Sequence, residues 1–217
     1  MQPTDILVNF DIIHKHKKDF LTYMLCLSTC NQEINWTNSQ WRCGEISGKA
    51  DIDLIARTTG LTRQTIYKHI KTFDNDYCYA GPMGIIPMTI WSRLLQEVDG
   101  LGAAAKNGLV RTFCYLVMQC WSFQQFSRSE VLIARELDTN LKDTIVRINW
   151  LVKHGFIAVR RPHRHFKNTS VPRIYSLYRD EVPAYYANSD WFVNNLAERD
   201  NESLDKILIH FKNSFER

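Results

Sequence analysis

The sequence predicts a mainly α-helical protein with small β-hairpins, arranged as two similar units followed by a helical tail. Three observations predict this class. A helix-turn-helix pattern occurs twice, apolar residues recur at helical spacing, and a strand-loop-strand pattern follows the second copy. The chain has 217 residues, of which 45% are hydrophobic and 23% are charged. This length allows two cores, and this composition excludes a largely disordered chain.

The helix-turn-helix pattern forms an internal sequence repeat, and its two copies are 78 residues apart. The first copy spans 51–70 and the second spans 127–152, with Ala56 aligned to Ala134. We expect these alanines where the two helices of each copy cross closely. Gly60 predicts a turn with a positive φ, which glycine adopts freely.

Capping residues and apolar stripes define the helices of each copy. Thr62 and Asn140 are expected to cap the second helices by accepting hydrogen bonds from free backbone amides. Ser127 and Glu130 predict a capping box at the first helix of the second copy. The expected buried stripes are Ile66, Ile70 and Phe73 in the first copy, and Ile145, Ile148 and Val152 in the second.

The remaining elements follow from local signals. An amphipathic helix is predicted before each copy, around 20–27 and 109–120. Gly155 is expected to end the last helix of the second copy. Further predictions are strands at 156–161 and 171–178, a short hairpin at 77–86, a joining helix at 89–98 and two helices beyond Ser189.

The expected domain boundary is the segment Asp99–Gly102, which is typical of a linker. The first domain would then span 1–98 and contain an insertion at 31–49. The second domain would span 99–179 and carry the basic hairpin, and an acidic helical tail would span 180–217.

Three helices followed by a β-hairpin make up the winged-helix build, and both units resemble winged-helix DNA-binding domains. The resemblance covers about 15–178 and is sharpest in the second unit, through IARELDTNLKDTIVRINWLVKHGFIAV. At the superfamily level, the chain resembles tandem winged-helix proteins such as plasmid and phage replication initiators and bacterial transcription regulators. Asp138 departs from the pattern, because the family usually has glycine there, and the second turn is one residue longer than the first.

The resemblance implies a sequence-specific, non-enzymatic, double-stranded DNA-binding protein that acts in replication initiation or transcription regulation. Its second helices would enter the major groove. In the first unit, the expected contacts are Arg63, Gln64, Tyr67, Lys68 and Lys71. These side chains suit base edges and phosphates.

In the second unit, the expected outward face carries Asp143, Arg147 and Trp150. Arg147 is the candidate for guanine readout, and Trp150 is expected to pack against the wing, the partner domain or another subunit. Lys142 and Lys153 flank this face. The basic hairpin is expected to lie on the backbone or in the minor groove, through Arg160, Arg161, Arg164, Lys167 and Arg173.

Charge is unevenly distributed along the chain. Between 142 and 178 there are eight Lys or Arg residues and one acid, a net charge of +7, whereas 180–217 carries −4. This distribution is typical either of a polyanion-binding surface or of two ordinary solvated faces of opposite charge. The acidic tail would either pack on the body or present a surface for homodimerisation or for a replication or transcription partner.

Other classes of function have little support in the sequence. The pairs His14/His16 and His163/His165 lack the pattern of a nicking enzyme, and Cys26, Cys30 and Cys43 lack a zinc-clamp spacing. No nucleotide-binding or hydrolase motif occurs. We therefore expect no catalytic residue, no metal and no cofactor. We also expect a cytoplasmic protein without a membrane partner. A protein-protein interaction module of a nucleoprotein complex is the alternative.

Overall fold

The structure is a computed structural model that describes residues 5–29, 32–35, 40–43, 50–73, 78–80, 83–121, 125–160 and 173–177. Within these ranges the chain is mainly helical with small antiparallel sheets, as predicted. Its contacts divide the chain into one unit at 1–122 and another at 123–217. This division lies after the expected boundary at 98/99, and the predicted tail at 180–217 lies outside the described residues.

The first unit contains six helices and five strands within the described ranges. In chain order they are β1 (Asp5–Asn9), α1 (Phe10–Lys15), α2 (Phe20–Leu27), β2 (Gln32–Asn35), β3 (Gln40–Cys43), α3 (Ile52–Thr59), α4 (Arg63–Ile70), β4 (Cys78–Ala80), β5 (Met83–Pro87), α5 (Met88–Glu97) and α6 (Ala103–Trp121). The joining helix predicted at 89–98 is confirmed as α5.

The strands of the first unit form two antiparallel sheets. One sheet pairs β1 with β5, and the other has the order β2-β3-β4. The hairpin predicted at 77–86 is therefore wrong, because β4 and β5 pair with β3 and β1 instead of with each other. The insertion at 31–49 supplies β2 and β3, so it provides the partner strand for β4.

The core of the first unit is built around α2 and α6. All eight residues of α2 are buried, so this helix is apolar on every side instead of amphipathic. The helices α2, α3 and α4 pack against one another, and α6 packs against β5, α2 and α1. The helix expected before the second copy thus contributes to the core of the first unit. Among the helices that the structure describes, none has the length and apolar character that crossing a bilayer requires.

The second unit contains β6 (Gln125–Arg128), α7 (Glu130–Glu136), α8 (Leu141–Lys153), β7 (Ile157–Arg160) and β8 (Arg173–Leu177). The three strands form an antiparallel sheet in the order β6-β8-β7. Ile157 lies opposite Leu177, and Arg160 lies opposite Ile174. The pairing of β7 with β8 confirms the predicted return strand, and the residues that join the two strands lie outside the described ranges.

The two helix pairs correspond position by position at the offset of 78 residues. The first helices start at Ile52 and Glu130. Gly60 has a φ of 71°, and Asp138 has a φ of 49°. Thr62 and Asn140 cap the second helices through side-chain oxygens, as predicted. Three residues separate the helices of the first pair and four those of the second, so the longer second turn is also confirmed.

Two details of the second pair differ from the prediction. Ser127 belongs to β6, and the cap of α7 is Ser129, whose side chain accepts a hydrogen bond from the Leu132 amide. The buried residues of α8 are Thr144, Ile148 and Leu151. They match Ile66, Ile70 and Phe73 at the offset of 78, whereas the predicted Ile145 and Val152 are half-buried.

A threonine can occupy the buried stripe of α8 because its hydroxyl has local partners. The Thr144 hydroxyl donates to the Asn140 carbonyl at 3.0 Å and lies 2.8 Å from the Thr139 hydroxyl. A buried hydroxyl with hydrogen-bond partners carries little desolvation penalty. The prediction from apolar periodicity alone therefore placed two of the three buried positions one residue too late in the sequence.

Gly84 allows the closest approach between β5 and α6. A Cβ at this position would lie 2.8 Å from the Met118 Cα and 2.9 Å from the Met118 nitrogen. Both atoms belong to the backbone of α6, so neither can move aside as a flexible side chain would. The strand can pack on the helix at this distance only because residue 84 has no side chain.

Gly84→Ala is expected to lower the free energy of unfolding by about 1–3 kcal/mol, the usual cost of overpacking a core. Urea titration followed by circular dichroism measures the change. Gly102→Ala is the matched control, because nothing lies within 4 Å of a Cβ there. Equal effects of the two substitutions would contradict the close-approach interpretation.

Candidate nucleic-acid interface

The second helix of the first pair, α4, presents one continuous exposed stripe. Gln64, Tyr67, Lys68 and Lys71 are all exposed, and Tyr67 is 53% exposed. Their spacing of three and four residues places them on one face of the helix. The opposite face holds the buried stripe of Ile66, Ile70 and Phe73. Both stripes lie where the sequence predicted them.

The charge of α4 is uniformly positive or neutral. Between 61 and 73 the sequence contains three Lys or Arg residues and no acid. Arg63 forms an ion pair with Asp53 of α3, with 2.6 Å between Nη2 and Oδ1. Both side chains are more than half exposed, so the pair contributes little stability and leaves Arg63 able to exchange partners.

An aromatic cluster supports α4 from beneath. The Phe73 ring packs edge-on against Tyr23 at 5.0 Å and against His16 at 5.2 Å. The His16 ring stacks on Tyr23 at 4.1 Å. Since Tyr23 lies on α2, these contacts fix the residues that follow α4 to the core of the first unit.

A carboxylate borders this cluster. Asp19 Oδ1 lies 3.6 Å from His16 Nδ1, and Asp19 Oδ2 lies 3.4 Å from the Thr72 hydroxyl, which donates a 2.6 Å hydrogen bond to the His69 carbonyl. Burial raises the pKa of Asp19, but the hydrogen bond and charge of His16 outweigh it and hold the pKa below its usual value. Asp19 is therefore a carboxylate at neutral pH, and its charge lies beside Thr72.

The exposed stripe of α8 differs from the sequence prediction. It consists of Lys142, Val146, Asn149 and Lys153, and Val146 is 59% exposed. Sequence reasoning placed Asp143, Arg147 and Trp150 outward. Asp143 is exposed as predicted, whereas Arg147 and Trp150 are half-buried, and the prediction missed Val146 and Asn149. The internal repeat indicates both residues, because they match the exposed Lys68 and Lys71 at the offset of 78.

Arg147 and Trp150 lie beside the exposed stripe of α8. The Arg147 side chain is 19% exposed, and its Nη2 lies 3.9 Å from Asp143 Oδ2. Burial lowers the pKa of Arg147, and the charge of Asp143 opposes this effect. The Trp150 ring stacks on His154 at 3.8 Å and lies 6.1 Å from Phe156, which precedes β7. This agrees with the expected packing of Trp150 against the hairpin.

Arg173 does not fit its predicted role as a phosphate contact. The residue is 7% exposed, and its Nη1 donates a hydrogen bond to Glu130 Oε1, which belongs to a fully buried residue. Because a carboxylate inside the protein already neutralises this guanidinium, Arg173 is a structural residue. It ties β8 to the first turn of α7.

The other predicted contacts of the second unit divide into two groups. Lys142 and Lys153 are exposed near the two ends of α8. Arg160 ends β7, where its backbone pairs with that of Ile174. The predicted contacts Arg161, Arg164 and Lys167 lie outside the described residues.

In the described part of the chain, no group of three or more His, Cys, Asp or Glu side chains could hold a metal ion. Cys26, Cys114 and Cys120 are buried. Burial raises the pKa of the Cys114 thiol well above its usual value, so this side chain behaves as a small apolar group.

Comparisons of the chain with protein-family models, curated proteins and solved structures return no match. No family assignment follows from them. The chemistry of the exposed faces of α4 and α8 is therefore the observation that bears on function.

Arg173→Met is expected to destabilise the second unit by about 3–5 kcal/mol, because it leaves the buried carboxylate of Glu130 without its guanidinium. Urea titration at pH 7 measures the loss. Arg135→Met is the matched control, since Arg135 is exposed on α7.

A double variant separates the ion pair from side-chain packing. Glu130→Leu combined with Arg173→Met is expected to recover most of the lost stability, because both buried charges are then absent. A loss below about 1 kcal/mol for Arg173→Met alone would contradict the structural role of Arg173.

Proposed function

We propose that the chain is a sequence-specific, double-stranded DNA-binding protein with two winged-helix units and no enzymatic activity. One observation carries this proposal. The two helix pairs correspond at the start of each helix and at the left-handed residue of the turn, and the second helix of each pair exposes one continuous stripe of side chains. A helix presented in this way has the shape that the major groove admits.

The arrangement of elements supports the winged-helix part of the proposal. In the first unit, α2, α3 and α4 pack against one another, and β2, β3 and β4 form a three-stranded sheet. In the second unit, α7 and α8 lie in sequence between β6 and β7, and β8 pairs with both strands. This order matches the last two helices and the hairpin of the winged-helix build, whereas the helix expected before them, α6, belongs to the first unit.

The side chains of α4 suit a duplex. Lys68 and Lys71 supply charge for phosphates or guanine edges, and the Gln64 amide can donate to and accept from adenine. Arg63 and Tyr67 extend the same surface. In the second unit, Lys142 and Lys153 can contact phosphates near the two ends of α8.

The basic residues between β7 and β8 complete the proposed surface. Arg160, Arg161, Arg164 and Lys167 would follow the backbone or enter the minor groove, whose potential attracts arginine. The biological output is replication initiation or transcription regulation. Repeated sites at an origin indicate the first, and a single site over a promoter indicates the second.

The test of this proposal is the salt dependence of duplex binding by the full chain. The logarithm of the affinity is expected to fall linearly with the logarithm of salt concentration, by roughly 0.9 per neutralised phosphate. The double variant Lys68→Ala, Lys71→Ala removes up to two contacts and is expected to reduce this slope by roughly 1–2. Fluorescence anisotropy with a labelled duplex measures it.

The double variant Lys15→Ala, Lys18→Ala is the control for this test, because it makes the same change of charge at two exposed positions in and just after α1. The control is expected to leave the slope within about 0.3 of the parent chain, since it removes no phosphate contact. Weak duplex binding with no salt dependence would overturn the proposal and favour a protein-interaction module.

A further inference from the structure

We infer that the two units read chemically different half-sites, and that α8 recognises A·T base pairs through Asn149 and Val146. This inference rests on the proposed function and deepens it. It starts from the structural correspondence of the two helix pairs. That correspondence makes the exposed positions of α4 and α8 comparable one by one.

The comparison shows two stripes of different chemistry. Gln64 corresponds to Lys142, Lys68 to Val146, and Lys71 to Asn149. All of these positions are exposed. At the last two of these positions, the first helix pair therefore offers two ammonium groups, from Lys68 of α4 and from its C-cap Lys71, whereas α8 offers an isopropyl group and an amide.

These groups prefer different base edges. An ammonium group only donates hydrogen bonds, which suits guanine because O6 and N7 both accept. An amide donates and accepts together, which matches the N7 acceptor and the N6 donor of adenine. Asn149 thus favours adenine, whereas Lys71 favours guanine or a phosphate.

Val146 reinforces the preference for A·T pairs. It lies three residues before Asn149, so the two side chains are neighbours on one face of α8. It is 59% exposed, and every other residue of the stripe is polar. An apolar side chain in the major groove contacts the thymine C5-methyl group, which only A·T pairs present.

Charge complementarity identifies DNA as the occupant of this stripe. Lys142 and Lys153 flank the two neutral residues, and the cations Arg160, Arg161, Arg164 and Lys167 follow in the sequence. Asp143 lies beside Lys142 and is held by a 2.6 Å hydrogen bond from the Asn140 amide. Its carboxylate repels phosphates, so α8 discriminates between bases more than it adds to electrostatic affinity.

The target site therefore has two non-identical halves. Because one chain carries both recognition helices, it can make two sets of base contacts without a palindromic site or a symmetric dimer. The half read by α8 contains A·T pairs, and the half read by α4 does not repeat it.

The experiment is selection from a random duplex pool by the full chain, followed by sequencing of the retained DNA. The parent chain is expected to enrich a motif whose two halves differ. Asn149→Ala is expected to lower the preference for adenine at one column about tenfold. Because the substitution is neutral, the salt dependence of binding stays unchanged.

Asn149→Arg gives a result that misfolding cannot imitate. Arginine pairs with the O6 and N7 acceptors of guanine, so the same column is expected to change from adenine to guanine. Gln96→Ala is the control, because it removes an exposed amide from α5. It is expected to leave every column of the motif unchanged.

The outcomes separate this inference from the proposed function. A motif that neither Asn149 variant alters, or one with two identical halves, overturns the inference and leaves specific DNA binding intact. Retention of no DNA by the parent chain overturns both. Loss of adenine in Asn149→Ala, together with gain of guanine in Asn149→Arg, supports the inference.

Discussion

The left-handed residue between the helices of each pair is the constraint on which the rest of the structure depends. Gly60 and Asp138 turn the chain at φ values of 71° and 49°, and the cap of the next helix follows two residues later in both units. Glycine enters this region without strain, and aspartate is among the few other residues that visit it. Since the turn sets where the second helix begins, it also sets which side chains face the core and which face solvent.

Different side-chain interactions hold the helix pair in place in the two units. In the first unit, Phe73 packs on the rings of Tyr23 and His16, so the anchor of α4 is aromatic. In the second unit, the buried pair of Glu130 and Arg173 ties α7 to β8, and Trp150 stacks on His154 at the end of α8. An aromatic cluster tolerates small shifts in packing, whereas a buried ion pair fails if either partner is lost. The structure of the second unit therefore depends on Glu130 and Arg173 being present together.

Local signals predicted the helix pairs, the caps Thr62 and Asn140 of their second helices, the joining helix and the return strand, because caps and helical periodicity act over a few residues. The hairpin at 77–86 failed because its strands pair with β1 and β3, and sequence proximity carries no information about such distant partners. The stripe of α8 was misplaced because apolar counting prefers Ile145 to a threonine whose hydroxyl is satisfied. Arg173 was misassigned because a charge count does not reveal a buried carboxylate on another element.

The basic block of the second unit, at 142–178, presents less charge to solvent than its net charge suggests. The net charge of +7 between 142 and 178 includes Arg173, which a buried carboxylate neutralises, and Arg147, which lies near Asp143. Neither guanidinium contributes fully to an external field. The attraction for a polyanion must therefore come from the lysines at the two ends of α8 and from the cations at 160–167. Long-range attraction and base discrimination are thereby separated, because charge surrounds the stripe of α8 and neutral side chains occupy its centre.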